Sequence, residues 1–337
     1  MDETRRPQLG PGPEFDLIRS MTLSARAPGD ARVRIGPGDD AAVLRPREGE
    51  DIVVSCDMSV EDVHFRRAWL TWEEVGWRSV AAALSDLAAM GARPLGALIA
   101  AALAPELGTE VADSLAAGAG NCLREYDCPL VGGDLSRSTG PAVIDVTVLG
   151  SASNPISRAG ALPGDELWVT GDLGAAALAA AAWERQLEPD VRARHRFAHP
   201  EPRCAEVEWL RTRMDIHAAI DLSDGLAGDA RHMATASEAR LLIEAEAIPL
   251  HAALEEFSDR EVAVRIALTG GEDYELLLAA APGTGDGTRR EFESRFDIPL
   301  TRVGRVEPGD DVVLLLADGA VGPMPSGAYD HFETRRS

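Results

Sequence analysis

A two-domain α/β protein is the fold class this sequence predicts, on three observations. The 337 residues suit two domains of ordinary size, and 45% hydrophobic residues with only 5% aromatic supply aliphatic cores. Short β-like runs, among them Ile52-Val53-Val54, Glu166 to Thr170 and Leu276 to Ala279, alternate with longer helix-like stretches such as Thr71 to Gly91. Six acidic clusters punctuate that alternation: Gly38-Asp39-Asp40, Ser55-Cys56-Asp57, Ser85-Asp86, Gly132-Gly133-Asp134, Asp221-Leu222-Ser223-Asp224-Gly225 and Gly270-Gly271-Glu272-Asp273.

Residues 1–13, polar and rich in Pro and Gly, read as a flexible arm, followed by a short helix around Phe15 to Ser24. Strand-like Val33-Arg34-Ile35 and Ala41 to Leu44 bracket the loop that carries Asp40, and Ile52-Val53-Val54 leads into Asp57. Thr71 with Glu74 three residues on is a capping-box pattern that opens a helix, and Gly91 is placed to end it. Within that helix Asp86 stands among Val80, Ala83, Leu84, Leu87 and Met90. A carboxylate there is costly if buried without a partner, so it faces solvent or holds a metal. A strand around Leu95 to Leu103, a helix from about Thr109 to Tyr126, the apolar Pro129-Leu130-Val131 and a strand from Ala142 to Gly150 complete the N-terminal α/β domain, residues 14–153. The Gly-, Pro- and Ser-rich stretch from Asn154 to Asp165 reads as the inter-domain link, with which the C-terminal α/β domain, residues 154–337, begins. There a strand from Glu166 to Thr170 and an Ala-rich helix from Ala175 to Arg185 precede strands near Ala218 to Ile220, Leu241 to Ile243, Leu276 to Ala279 and Val312 to Leu316.

Carboxylates that follow strand-like segments, as Val131 precedes Gly132, Ile220 precedes Asp221 and Ile266-Ala267-Leu268 precedes Gly270, converge at strand ends and repel unless a cation separates them. Hard divalent cations, Mg²⁺ above all, suit such oxygen ligands. All 33 basic residues are Arg and the chain has no Lys. A P-loop site, a Schiff-base site and a protein-kinase site each require a Lys and are excluded. Phosphate charge must be met by metal, Arg and backbone N–H groups. The formal charge of −23 disfavours nucleic acid and anionic membrane as partners. The four cysteines, Cys56, Cys122, Cys128 and Cys204, lack the spacing of a metal or disulfide framework, and no segment reaches the roughly 18 apolar residues of a spanning helix. A cytoplasmic protein with reduced thiols is expected.

Several motifs carry two readings. Gly171-Asp172-Leu173-Gly174, before the Ala-rich helix, is either a phosphate-binding loop or a turn. Ser223 is placed to N-cap the helix that carries Leu226 and Met233, where a phosphate would be attracted; capping alone does not explain its two flanking aspartates. His195 and His199 are four apart, but Pro200 and Pro202 follow and no zinc-protease Glu accompanies them. No Gly-x-Ser-x-Gly elbow supports acyl transfer.

Taken together, the clusters resemble those of the thiamine-monophosphate kinases, in the superfamily that includes aminoimidazole ribonucleotide synthetase and selenophosphate synthetase. The matching stretches run from Glu14-Phe15-Asp16-Leu17-Ile18 to Gly327-Ala328-Tyr329-Asp330-His331-Phe332 and include Val60 to Phe65, Leu84 to Ala92, Val131 to Asp134, Ile220 to Leu226 and Gly270 to Leu276. The resemblance implies a two-domain synthetase-like fold, with an N-terminal sheet that pairs across a homodimer and binds metal and ATP, and a C-terminal α/β domain that completes the nucleotide and substrate sites. It implies ATP-dependent phosphorylation of thiamine monophosphate to thiamine diphosphate, with several Mg²⁺ ions. By motif position, Asp40, Asp57, Asp86, Asp134, Asp221 and Asp224 would bind metal, assisted by Ser55 and Cys56. Gly133, Asp134, Arg158 and Ser223 would face ATP, while His64, Glu272 and Tyr329 would line the thiamine phosphate pocket. The chain departs from the family pattern at Cys56, Leu135, Ser136 and Ala159, and at Asp57-Met58-Ser59. No general base is required, because a phosphate oxygen with a second pKa of about 6 is largely ionised at neutral pH. Two alternatives stand beside this reading: another ATP-using enzyme of the superfamily, and a non-catalytic nucleotide or metal sensor. Selenophosphate synthetase needs an N-terminal Cys or selenocysteine with a Lys, and a hydrogenase-maturation relative needs a C-terminal Cys, where this chain ends Arg335-Arg336-Ser337.

Overall fold

In a computed structural model of the chain, the described residues are 30–37, 41–104, 108–257 and 259–325. The arm, the helix expected around Phe15 to Ser24, Asp40 and Tyr329 lie outside them. The chain divides into two units, Met1–Leu87 with Ala92–Pro155, and Ala88–Gly91 with Ile156–Ser337.

In the first unit, β1 (Val33–Ile35) and β2 (Val43–Leu44) form an antiparallel pair. A four-stranded sheet follows, built from β3 (Asp51–Val60), β4 (Arg93–Leu103), β5 (Leu130–Arg137) and β6 (Val143–Ala152) in the order β3-β6-β4-β5. Only the β4–β5 pair is parallel, and α2 (Gly108–Glu125) makes its crossover. Helix α1 (Trp72–Ala89) connects β3 to β4. It starts as the sequence predicts: Thr71 N–H donates to Glu74 Oε2 at 2.8 Å and Glu74 N–H to Thr71 Oγ1 at 3.2 Å. Val80, Leu84 and Leu87 on α1, Leu115 and Leu123 on α2, and Leu95, Ile99, Ile144 and Val146 on the sheet are buried. The period of two leaves alternate sheet residues outside that core, and on edge strand β3 it exposes Ile52, Val54 and Met58 at 49%, 58% and 51%.

Two motif positions differ from expectation. Asp57 and Asp134 were expected just beyond strands but stand inside β3 and β5. Both strands are sheet edges, where polar residues are tolerated, so the apolar run underestimates the strand.

The second unit holds β7 (Glu166–Thr170), β8 (Ile216–Asp221), β9 (Arg240–Glu244), β10 (Leu276–Ala280), β11 (Leu300–Glu307), β12 (Val312–Leu315) and β13 (Val321–Pro323), ordered β13-β12-β9-β11-β7-β10-β8. Only β12–β9 is parallel. Leu167 and Val169 of β7 enter one core with Ile220, Leu226, Met233 and Ile243, whereas Trp168 enters another with Leu210, Leu278 and Phe292. A sheet covered on both faces has apolar strands without alternation, which is why β7 and β10 were legible as continuous runs. The helices are α3 (Ala175–Glu184), α4 (Val191–Ala198), α5 (Cys204–Leu210), α6 (Leu226–Ser237), α7 (Ala252–Glu255), α8 (Arg260–Thr269) and α9 (Gly285–Phe296). Ile266-Ala267-Leu268, expected to be strand-like, closes α8; Ala263, Val264, Ala267 and Leu268 are its buried stripe, spaced three and four apart.

Where β10 begins, Glu275 is fully buried at 0% exposure. Arg203 Nε donates to its Oε2 at 2.7 Å, Arg203 Nη2 and Arg196 Nη2 each reach Oε1 at 2.5 Å, and Thr170 Oγ1 donates to Oε2 at 2.8 Å. Burial alone would raise this carboxyl's pKa; the Arg203 guanidinium and its hydrogen bonds prevail and hold it below the ordinary Glu value. Beside it, Asp273 is buried with no cation among the described residues at hydrogen-bond distance, and accepts Gly174 N–H at 2.8 Å at the head of α3. Burial pushes its pKa up to about 8. The loop Gly171-Asp172-Leu173-Gly174 therefore reads as a turn whose last amide is engaged by Asp273.

Two consequences are measurable. Replacing Arg203 with Met leaves Glu275 buried with half its guanidinium partners, so Arg203→Met should lose about 3 kcal/mol of unfolding free energy in urea titration. A loss under about 1 kcal/mol would mean that Arg196 alone suffices. Asp273 is an acid whose folded pKa lies above its unfolded value, so its stability contribution is complete near pH 4 and is lost as pH rises towards about 8. The Asp273→Asn variant lacks this loss. Its unfolding free energy should gain on that of the parent between pH 5 and 8, by up to about 1.4 kcal/mol per pH unit. A constant difference across that range would show Asp273 to be ionised when folded.

Candidate active site

Ser55 and Asp57 are two apart on β3 and so share the face that meets α1. Ser55 Oγ donates to Asp86 Oδ2 at 2.5 Å, which brings the α1 carboxylate to the same face. Asp86 is thus half-buried and accepts a hydroxyl hydrogen bond. Asp57, Ser55 and Asp86 offer two carboxylates and a hydroxyl.

Cys56 points the other way. Its Sγ lies 3.1 Å from Asp145 Oδ2, and that hydrogen bond raises the thiol's pKa, so it remains protonated. A neutral thiol is no ligand for a hard cation, and only the Cys56 carbonyl suits that role. The next transverse row of the sheet runs Met58, Asp145, Ala100, Asp134, and the row beside it Asp57, Val146, Ile99, Gly133. Alternation therefore places Asp134 with Asp145, on the face opposite Asp57. At Gly133 a Cβ would stand 2.1 Å from the Ile99 carbonyl oxygen, so no other residue fits that close strand approach.

His64 lies in the turn after β3. Its Nδ1 accepts Val60 N–H at 3.0 Å, which fixes the neutral ring as the Nε2–H tautomer.

In the second unit, β8 delivers a buried Asp221 into Leu222-Ser223-Asp224-Gly225. Ser223 does not cap α6; the N-cap is Gly225, at φ 95°, where a Cβ would lie 2.7 Å from the Gly270 carbonyl oxygen. Backbone hydrogen bonds tie this turn to the segment from Gly270 to Glu275: Glu272 N–H to the Ser223 carbonyl at 2.8 Å, Tyr274 N–H to the Leu222 carbonyl at 2.9 Å, and Leu222 N–H to the Glu275 carbonyl at 2.8 Å. Glu272 and Tyr274 are left-handed, at φ 71° and 52°. Arg158 is exposed, and its carbonyl accepts Ser237 Oγ at 3.2 Å.

The sequence reading missed Asp229. It is buried in the first turn of α6, its Oδ2 accepts Asp224 N–H at 3.1 Å, and burial, reinforced by Asp221 and Asp224, pushes its pKa up to about 8. An acid five residues beyond Asp224 was visible, but nothing in its spacing announced that it turns back. Among the described residues, no group of three or more His, Cys, Asp or Glu side chains is gathered to enclose a metal ion.

The chain matches the family described as AIR synthase related protein, by its N-terminal domain over residues 38–152 and its C-terminal domain over residues 163–316. The thiamine-monophosphate kinase of Synechococcus elongatus is 38% identical over 323 residues, covering 93% of this chain and 94% of that protein. The crystal structure of thiamine-monophosphate kinase from Stenotrophomonas maltophilia K279a superimposes with a TM-score of 0.79 at 35% identity, covering 91% and 96% of the two chains. The structure of AaThiL complexed with AMPPCP and TMP does so with a TM-score of 0.75 at 28% identity, covering 98% and 100%. With both domain models matched in order and the relative aligned over nearly its whole length, the chain belongs to the thiamine-monophosphate kinase family.

Proposed function

We propose that the protein transfers the γ-phosphoryl group of ATP to the phosphate of thiamine monophosphate, giving thiamine diphosphate and ADP. The observation that carries this is the full-length relationship to thiamine-monophosphate kinases, one of them complexed with AMPPCP, an ATP analogue, and TMP. The residues agree with it. Phosphoryl transfer depends on positioning and on neutralising charge, and the acceptor oxygen needs no base. The full set of six acidic motifs argues against a sensor, and ATP turnover in the presence of thiamine monophosphate separates the two readings.

Mg²⁺, when bound, neutralises and aligns the phosphates. We assign it to Asp40, Asp57, Asp86, Asp134, Asp221 and Asp224, with Ser55 and the Cys56 carbonyl. The Ser55 hydroxyl orients the Asp86 carboxylate, so the ligand pair on β3 and α1 is ordered before any substrate arrives. Asp134, on its own face, is assigned with Gly133, Arg158 and Ser223 to ATP. Gly133 lets the polyphosphate approach backbone N–H groups, and the Arg158 guanidinium supplies the cation that a Lys provides elsewhere. His64, Glu272 and Tyr329 are assigned to the thiamine phosphate. The N-terminal domain serves metal, ATP and dimerisation, and the C-terminal domain supplies the remaining nucleotide and substrate residues.

A homodimer is part of this reading. The row Ile52, Val54 and Met58 on an edge strand is the kind of surface that a second copy covers. The compartment assigned is the cytoplasm, on the reduced-thiol composition; no helix among the described residues is long and apolar enough to cross a membrane.

Thiamine diphosphate formation should require Mg²⁺, and Asp86→Asn should lower turnover about a hundredfold or more, the scale of losing one main electrostatic element. A folded variant with near-normal turnover would remove Asp86 from the site. An aromatic ring at Tyr329 facing the cationic thiazolium is worth roughly 0.5 to 2 kcal/mol. Tyr329→Ala should therefore raise KM for thiamine monophosphate about threefold to thirtyfold and leave that for ATP within about twofold. Equal rises in both constants would withdraw that assignment.

A further inference from the structure

The peptide unit between Ser223 and Asp224 is held at both poles. Its carbonyl oxygen accepts Glu272 N–H at 2.8 Å, and its N–H donates to Asp229 Oδ2 at 3.1 Å. The first partner is backbone and survives any substitution that keeps the loop. The second is a single side chain, 2% exposed, reaching back from α6 over five residues. Flipping this peptide would aim its N–H at the carbonyl's present partner and bury a donor without an acceptor. Without the Asp229 acceptor, ψ of Ser223 and φ of Asp224 lose the restraint on the N–H pole, and an uncompensated change at either displaces Asp224 and its side chain relative to Ser223. Gly225 has φ 95° and makes no side-chain cap, so no side chain at the N-cap restrains this peptide.

We propose that Asp229 is the positioning residue of the nucleotide and metal loop: by accepting the Asp224 N–H it locks the Ser223–Asp224 peptide in the one orientation that presents both side chains. It touches neither substrate nor reacting atoms and acts through the backbone. The inference rests on the assignment of Ser223 to ATP and Asp224 to Mg²⁺ made above.

The test uses Asp229→Ala and Asp229→Asn in the full-length protein, each compared with the parent by thermal unfolding. Asn keeps an oxygen that can accept the same N–H, whereas Ala does not. Amide exchange over residues 221–225, measured without substrates, should speed up about tenfold or more in the Ala variant and stay within about threefold of the parent in the Asn variant. Amides of α3 should be unchanged in both. KM for ATP and the half-saturating Mg²⁺ concentration should rise about tenfold in the Ala variant, with KM for thiamine monophosphate within about twofold. Unchanged exchange at 221–225 in a folded Ala variant would overturn the proposal, and so would an Asn variant as impaired as the Ala variant. If the Ala variant does not fold, the Asn variant decides alone, since parent-like exchange and constants support the lock and a tenfold loss refutes it. Failure of the parent to form thiamine diphosphate would remove the functional assignment, whereas the exchange measurement reads the lock with no substrate present.

Discussion

The buried Glu275 carboxylate is the interaction on which the second unit depends. Ionised and at zero exposure, it can stay charged only because Arg203, Arg196 and Thr170 surround it. Those partners come from α5, α4 and the end of β7, so one charge fixes two helices and a strand around the start of β10. Thr170 Oγ1 also accepts Leu276 N–H at 2.9 Å, which extends the tie into the β10 ladder. The segment from Gly270 to Tyr274 leads directly into this anchor, and its backbone bonds to the turn after β8 take their register from there.

The two units hold their acidic groups by different means. In the first, the carboxylate on α1 is steadied by one hydroxyl from β3, and a neighbouring thiol is kept neutral on the far face. In the second, Asp221, Asp224 and Asp229 crowd at a helix start, and burial together with mutual repulsion raises the pKa of Asp229, the one that supports the backbone. A chain with no Lys has no compact ammonium to place among these groups. Two of its guanidinium groups, those of Arg196 and Arg203, are fixed on Glu275.

Local signals in the sequence were faithful where the physics is local. The capping box at Thr71 and Glu74 is an exchange of hydrogen bonds within one turn, and it forms as the spacing predicts. The middle of β7, Leu167 to Val169, is apolar without alternation because both faces are covered. Errors arose where an edge, a face or a distant partner decides. Asp57 and Asp134 sit within edge strands, which need not be apolar to their ends. Ile266-Ala267-Leu268 has strand-like composition, but its burial repeats at helical spacing. Ser223 has a capping residue's chemistry, yet its carbonyl is held by Glu272 and the helix starts two residues later at Gly225. The Glu275 cluster joins residues separated by 72, 79 and 105 positions, and no single-chain pattern reveals pairings of that span. The acidic motifs themselves were legible; their division between opposite faces of one sheet was not.

The left-handed backbone at Glu272 and Tyr274 bears on how this region fails. A side chain in that conformation costs on the order of 1 kcal/mol, and here the cost recurs at two positions flanking Asp273. The segment cannot hold this shape by its own preference. It does so while Ser223 and Leu222 offer their carbonyls and Glu275 stays anchored, and it relaxes when either is withdrawn. The shape of this segment is therefore lost in one step with the tertiary contacts that hold it.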